Sequence, residues 1–314
     1  MVTRGLYFDS ATLYYRAFFA VPSSVKAPDG TPSGAVRGFL DMVSTLVTQF
    51  PAQHVVCAWD DDWRPQWRVD LIPSYKTHRL EPDERIVGTL EEDVPDDLSP
   101  QITAIAQILD AIGVPRLGEN GFEADDILGS LVAQYDYEVD VVTGDRDLFQ
   151  LVSDTRRTRV LSITKGLKNL AIVNDAYLVE KYGVAGYQYA DFAALRGDAS
   201  DGLPGVKGIG EKTASALISQ WESIEKLMEA VRAENEKVPA SAQKKLLAQA
   251  HELPNMQKVV RVRTDAQVTR KLMPNTTIKD GKALADLASY WGITRQVNAL
   301  LKALNLGQLD SVNS

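Results

Sequence analysis

Short apolar runs that end in an acid recur along the chain: GLYF before Asp9, HVVCAW before Asp60 and VDVVTG before Asp145. Their length and bounding residues predict strands at 6–8, at 54–59 and through the valines that precede Asp145. Helical periodicity fills the gaps. An aromatic-rich helix is expected at 11–19, and a second at 34–50 with Phe39, Val43, Leu46 and Val47 on one face. Ile102, Ile105, Leu109 and Ile112 mark a further amphipathic helix, closed by Gly113. A short strand near 115–117 leads into an apolar helix that opens with Glu123, Asp125 and Asp126. Residues 159–163 and 169–173 read as a strand pair. A helix follows from Asn174 to Tyr182, ended by Gly183, and another is expected at 191–195. Beyond about Lys212 the pattern is mostly helical with weaker periodicity.

Strand, helix, strand with acids at the strand ends is an α/β pattern. In open α/β sheets ligands bind outside the carboxyl ends of the strands, which is where Asp9, Asp60 and Asp145 fall. The stretch 63–100 breaks the pattern. It is proline-rich and carries the mixed-charge run LEPDERIVGTLEEDVPDDLSP, a length and polarity uncommon inside a compact domain unless the segment has a function or moves.

Composition narrows the class. The chain has 314 residues, 45% apolar and 24% charged, enough for about two domains, or one large one, with a real core. It has no apolar run long enough for a membrane span, and MVTRGLYFDSATLYYR reaches polar residues too soon for a signal peptide. The lone Cys57 lies in an apolar run and excludes an internal disulfide, which fits a reducing cytoplasm. The net charge of −8 argues against nucleic acid at first sight. That objection weakens if several acids hold divalent cations, since a binding face needs only local positive potential.

Three stretches carry chemistry. Glu123, Asp125, Asp126, Asp145 and Asp147 crowd together with almost no local counter-charge. Such crowding is costly, and a pair of oxygen-liganded divalent ions would compensate it. Taken singly, the first three could serve the positive end of a helix dipole, and the last two a turn around Gly144. The second stretch, GLPGVKGIGEKTA at 202–214, has two glycine turns running into a helix start. Its exposed backbone N–H groups suit a phosphate. It is neither a Walker loop nor a dinucleotide fingerprint. A helix-hairpin-helix that grips one nucleic-acid strand fits it best, against the alternative of a tight turn between packed helices. The third, SYKTHR, offers Tyr75, Lys76 and Arg79 for stacking and phosphate neutralisation, or else is a solvated turn. Arg16 and Arg68 could likewise be surface salt-bridge residues. No hydrolase triad is visible, and His54, His78 and His251 lack partners at telling spacings.

Together the segments YFDSATLYYRAFFA, WDDDWRPQWR, SYKTHR, GFEADDILGSL, VVTGDRDLFQLV, KYGV and LRGDASDGLPGVKGIGEKTA resemble the bacterial 5′–3′ exonucleases and flap endonucleases. That family comprises the N-terminal nuclease domain of DNA polymerase I and its free-standing relatives. The resemblance covers roughly two thirds of the chain, from about Gly5 to beyond Ala214. It implies a PIN-like α/β nuclease core at 1–182 with a central, mostly parallel sheet and a helical arch at about 72–100. A helical region at 183–314, packed on the core, would carry the hairpin at about 198–220. It implies that Asp9, Asp60, Glu123 and Asp125 hold one Mg²⁺ or Mn²⁺ ion, and that Asp145, Asp147, Asp198 and Asp201 hold a second. Asp126 would act through water. Lys76 and Arg79 would stabilise the scissile phosphate, with Asp125 and Asp147 at the catalytic centre. Arg16, Arg68, Tyr75, Lys76 and Arg79 would grip the flanking nucleotides. Lys207, Gly208, Gly210, Lys212 and Thr213 would hold duplex backbone, with K⁺ on the carbonyls of Gly205, Val206 and Ile209.

The implied activity is two-metal hydrolysis of DNA at 5′ ends, flaps and branched junctions, by a cytoplasmic monomer in replication and repair. The alternatives are a silent branched-DNA-binding module of the same fold and a related ribonuclease. One departure is the acidic insertion carrying Glu81, Asp83, Glu84, Glu91, Glu92 and Asp93 against Arg85. An acidic arch binds phosphates less well, which puts the preference for single-strand flaps in question and leaves the hydrolytic chemistry untouched.

Overall fold

The computed structural model describes residues 3–80, 94–268 and 276–309. The acidic insertion, residues 81–93 of the expected arch, lies outside the described residues. Strands β1 (Arg4–Asp9), β2 (His54–Ala58), β3 (Arg116–Leu117), β4 (Glu138–Thr143), β5 (Thr158–Ser162) and β6 (Ala171–Val173) form one sheet in the order β3-β2-β1-β4-β5-β6. Every neighbouring pair is parallel except β5–β6, the expected strand pair, which is antiparallel.

The strands read as nearly unbroken apolar runs because both faces of the sheet are covered. Leu6, Phe8, Val55, Cys57, Val142 and Leu161 bury on one face, and Tyr7, Val56, Ala58, Val141 and Val160 on the other. The first face packs helices Ser10–Ala20, Gly34–Gln49 and Ser99–Ile112. The second packs Ala124–Gln134, Gly186–Arg196, Glu211–Trp221 and Leu253–Val260. The helix expected at 191–195 therefore begins at Gly186; its alanines and aromatics bury on several sides, which blurs the period.

The region beyond residue 183 divides between the two faces. Helices Gly281–Tyr290 and Thr294–Ala303 return to the first face, where Leu284, Trp291, Val297 and Leu300 join the cluster that includes Phe39 and Leu46. The hairpin residues Leu203, Val206 and Ile209 belong to the other cluster. These last helices thus brace the α/β core and not the hairpin. No helix among the described residues is long and apolar enough to cross a membrane.

Chain direction places the site. From β1 the chain crosses to β2 on one side, and β4 lies on the other. The carboxyl ends of β1 and β4 thus flank the point where strand order reverses, the usual place for a crevice.

Candidate active site

Asp9, Asp60, Glu123, Asp125 and Asp145 line one cavity of about 500 Å³ at this crevice, together with Thr12, Tyr15, Trp63, Lys76, His78 and Arg79. A larger groove of about 990 Å³, between helix Gly34–Gln49 and the last helix, has no carboxylate among its lining residues, so size alone does not mark the chemistry.

Each acid is fixed by its element. Asp9 ends β1 and caps helix Ser10–Ala20. Its Oδ1 accepts from the Thr12 N–H (3.1 Å), and its Oδ2 from the hydroxyls of Thr12 (2.5 Å) and Thr143 (2.7 Å). Asp60, just past β2, accepts from the Ala124 N–H at 2.8 Å and so sits on the positive end of helix Ala124–Gln134. Asp145 accepts from the Asp147 N–H at 2.8 Å and donates its own N–H to Thr143 Oγ1 at 2.8 Å. The coupling hydroxyls of Thr12 and Thr143 were not singled out from sequence; threonine at N3 of a helix capped by Asp9 is the only signal they leave.

Lys76 and Arg79 meet the acids directly. Lys76 Nζ lies 2.5 Å from Glu123 Oε2, and Arg79 Nη2 lies 2.7 Å from Asp201 Oδ1. Burial alone would lower the Lys76 ammonium, but Glu123, Tyr75 and Asp201 together outweigh it and hold the group well above its usual range. Lys76 itself stands in the left-handed region at φ 49°, a costly backbone state for a side-chain-bearing residue. Three ties keep it there: its N–H donates to the Asp201 carbonyl (2.9 Å), the Ser74 hydroxyl to the Gly202 carbonyl (2.9 Å), and Arg64 Nε to the Tyr75 carbonyl (2.6 Å). Gly202 has φ +69°, and a Cβ there would meet the Ser74 carbonyl oxygen at 2.3 Å. Gly202→Ala is therefore expected to destabilise the chain by about 1–3 kcal/mol and to lower turnover by shifting Lys76 from Asp201; melting and kcat, measured together, check both.

Other expected site residues lie elsewhere. Arg68 is only 2% exposed and forms a two-pronged pair with Asp126, Nη1 to Oδ2 at 2.7 Å and Nη2 to Oδ1 at 2.8 Å. Asp126 is fully buried and also accepts from the N–H groups of Glu123 (3.1 Å) and Arg263 (2.8 Å). Its carboxylate oxygens are thus taken up by protein donors, and it does not line the cavity. Arg68 is likewise taken up by protein, its guanidinium buried against Asp126. Tyr75 is 3% exposed and directs its hydroxyl to Glu123 Oε1 at 2.9 Å. It orients that acid from within the core. Arg16 donates to the Thr164 carbonyl at 2.8 Å and is absent from the cavity lining.

Asp147, Asp198 and Asp201 form a second group beside the cavity. Asp147 is buried, and its Oδ1 accepts no hydrogen bond. Asp198 caps the turn Ala199–Asp201 through the Ser200 N–H (2.8 Å). On the hairpin, Lys207, Gly208, Gly210, Lys212 and Thr213 are exposed while Val206 and Ile209 are buried anchors. Gly210 caps helix Glu211–Trp221. The Gly205 carbonyl accepts from Gln249 Nε2 (3.3 Å), the Val206 carbonyl from the Ile209 N–H (2.8 Å) and the Gly208 carbonyl from Lys245 Nζ (2.8 Å). A K⁺ ion here would share the Gly205 and Val206 carbonyls with protein donors.

The electrostatics report a charge deficit. Burial, with Glu123 and Asp9 nearby, pushes Asp60 up to about 7. Burial and the Asp201 charge push Asp145 to about 6. Burial and neighbouring carboxylates raise Asp125 and Asp147 well above the usual range. No three of the acids among the described residues close on a single point as the side chains stand; Lys76 and Arg79 take up Glu123 and Asp201 instead. The donor set is nonetheless all oxygen, short of positive charge and gathered at one crevice, which fits hard divalent cations. Acids with raised folded pKa values favour the native state below pH 4 and progressively disfavour it up to about pH 7. Protons also compete with cations for these oxygens. The rise in Tm on adding Mn²⁺ is therefore expected to be small at pH 5 and larger at pH 8; a rise independent of pH would contradict the assignment.

Comparison with known proteins agrees with this architecture. A family model described as the 5′–3′ exonuclease N-terminal resolvase-like domain matches residues 5–183, and one described as the 5′–3′ exonuclease C-terminal SAM fold matches residues 184–280. A Streptomyces coelicolor protein named 5′–3′ exonuclease is 48% identical over 298 residues, spanning 94% of this chain and 98% of that protein. A Mycobacterium tuberculosis protein of the same name is 43% identical over 307 residues, spanning 95% and 96%. A bacteriophage T5 flap endonuclease, solved as a pseudo-enzyme-product complex with DNA and metal ions, superposes with a TM-score of 0.61 at 19% identity. The match covers 96% of this chain and 99% of that one, and shows the shared fold.

Proposed function

The chain belongs to the 5′–3′ exonuclease family, and from that premise we propose that its acid-lined cavity hydrolyses DNA phosphodiesters at 5′ ends, flaps and junctions. The observation that carries the proposal is the convergence of Asp9, Asp60, Glu123, Asp125 and Asp145 on one cavity that Lys76 and Arg79 also line. Asp9, Asp60, Glu123 and Asp125 would hold one Mg²⁺ or Mn²⁺, and Asp145, Asp147, Asp198 and Asp201 a second. Bound there, the ions would supply an acidified water as nucleophile and neutralise charge on the leaving oxygen.

The chain's own groups do the rest. Lys76 and Arg79 stand at the cavity wall beside acids that ions would satisfy, so their charges become available to the scissile phosphate. Glu123 is held by Tyr75 and by Arg68, whose Nη1 lies 3.4 Å away, so its oxygens keep one direction. Asp9 is locked by two threonine hydroxyls. The exposed backbone of the hairpin, on the same helical region as Asp198 and Asp201, would hold duplex DNA by its phosphates and leave its bases unread. A nucleotide must unpair to reach the acids, at a cost of a few kcal/mol that is least at ends and branch points.

The test is a 5′-labelled flap substrate incubated with and without Mg²⁺ or Mn²⁺, with an RNA version alongside. Metal-dependent DNA products are expected. Binding without product would mark a silent DNA-binding module, and products from RNA alone a ribonuclease.

A further inference from the structure

Arg196 closes helix Gly186–Arg196, and its side chain turns back among the second group of acids. Its Nη2 lies 3.3 Å from Asp198 Oδ2 and 3.9 Å from Asp147 Oδ1. Its Nε donates to the Gly197 carbonyl at 3.0 Å, and its guanidinium stands 5.2 Å from the centre of the Phe192 ring. The side chain is 9% exposed. Held from several sides, it is no loose surface cation. Lys76 and Arg79 differ in this respect. Both line the open cavity and can exchange an acid for a phosphate, whereas Arg196 lines no part of it. Asp147, the acid it faces, keeps a buried Oδ1 without a hydrogen bond.

We infer that Arg196 is a resident counter-charge of the second acid group: it spaces Asp147 and Asp198 and weakens that group's grip on a divalent ion relative to the first. The inference rests on the reading that Asp147 and Asp198 are ion ligands. The two groups have four carboxylates each under that reading. Lys76 offsets one charge of the first group and Arg79 one of the second; the buried Arg68 beside Glu123 is matched by Asp126, whereas Arg196 faces only members of the second group itself, which therefore keeps a guanidinium it cannot shed. The two ions consequently bind with unequal affinity, and the weaker position is the one beside Arg196. Arg196 acts through Asp147 and Asp198, so it is a positioning residue.

The test is a calorimetric titration of Mn²⁺ into the full chain without DNA, for the wild type, Arg196→Met and Arg196→Lys. Even at the dielectric constant of water, a single charge about 5 Å from a divalent ion alters its affinity by about tenfold. Two affinity classes are expected in the wild type. In Arg196→Met the weaker class should tighten at least about tenfold with the tighter class unchanged, and in Arg196→Lys both should stay near wild type. A weaker class that is unchanged or weakened in Arg196→Met overturns the inference, because spacing or stability alone would then explain the residue. Arg196→Gln, which keeps donors and loses the charge, carries the same expectation if the Met variant fails to fold. Asp147→Ala separates the two readings: if it leaves both classes intact, the ligand assignment itself is wrong, whatever Arg196 does.

Discussion

Asp125→Asn is expected to reduce cleavage of a 5′-flap DNA at least about 10³-fold, the scale of losing one preorganised electrostatic contribution of about 4 kcal/mol, while leaving the metal-free protein as stable as before or more so. The two halves of this expectation have one cause. Asp125 is half-buried beside Asp145 and Asp9, and desolvation together with their charges holds its ionised form there at a cost. An amide of the same shape removes that repulsion and, with it, an anionic oxygen for a divalent ion. Asp147→Asn should behave alike, since burial and the charges of Asp145, Asp201 and Asp198 raise it too. Single-turnover cleavage with saturating metal, set beside thermal melting in a chelator, reads both quantities. Robust cleavage by either purified variant would remove these acids from the catalytic centre.

Arg68→Met should do the opposite and unfold the molecule more readily. Breaking one side of a buried ion pair costs about 3–5 kcal/mol, because Asp126 would keep its charge with only the N–H groups of Glu123 and Arg263 to answer it. In a chain of this size that is a fall in Tm of roughly 10 °C. The double variant Arg68→Met/Asp126→Leu should recover a large part of the loss, since the orphaned charge goes with the second change. A DNA-contacting Arg68 would instead leave Tm unchanged and weaken only binding. Melting curves of the three variants decide between the two.

These expectations differ because the two families of site residues were unequally legible in the sequence. Asp9, Asp60 and Asp145 could be placed from strand runs that end in acids, and strand order then brought them together. In sequence Asp126 opens the same helix as Glu123 and Asp125, yet in the structure it is the N3 residue of the cap and turns to Arg68. Nothing local reveals that choice, because Arg68 is 58 residues away in sequence. The burial of Tyr75 and Lys76 was equally hidden. They sit between a six-residue helix and a single 3₁₀ turn, too short for any hydrophobic period to appear. Their position comes from Arg64 and from the loop of Gly202, contacts that only the folded chain makes. Arg196 offers no signal beyond a cation before Gly-Asp, and its place among the acids depends on how helix Gly186–Arg196 ends.

The central claim is that these acids form two divalent-ion positions at the carboxyl ends of the strands. Anomalous scattering from crystals soaked in Mn²⁺ tests it most directly. Two peaks are expected, one within reach of Asp9, Asp60, Glu123 and Asp125, the other within reach of Asp145, Asp147, Asp198 and Asp201. Mn²⁺ peaks only at surface sites remote from both groups, in a chain that still cleaves DNA, would contradict it.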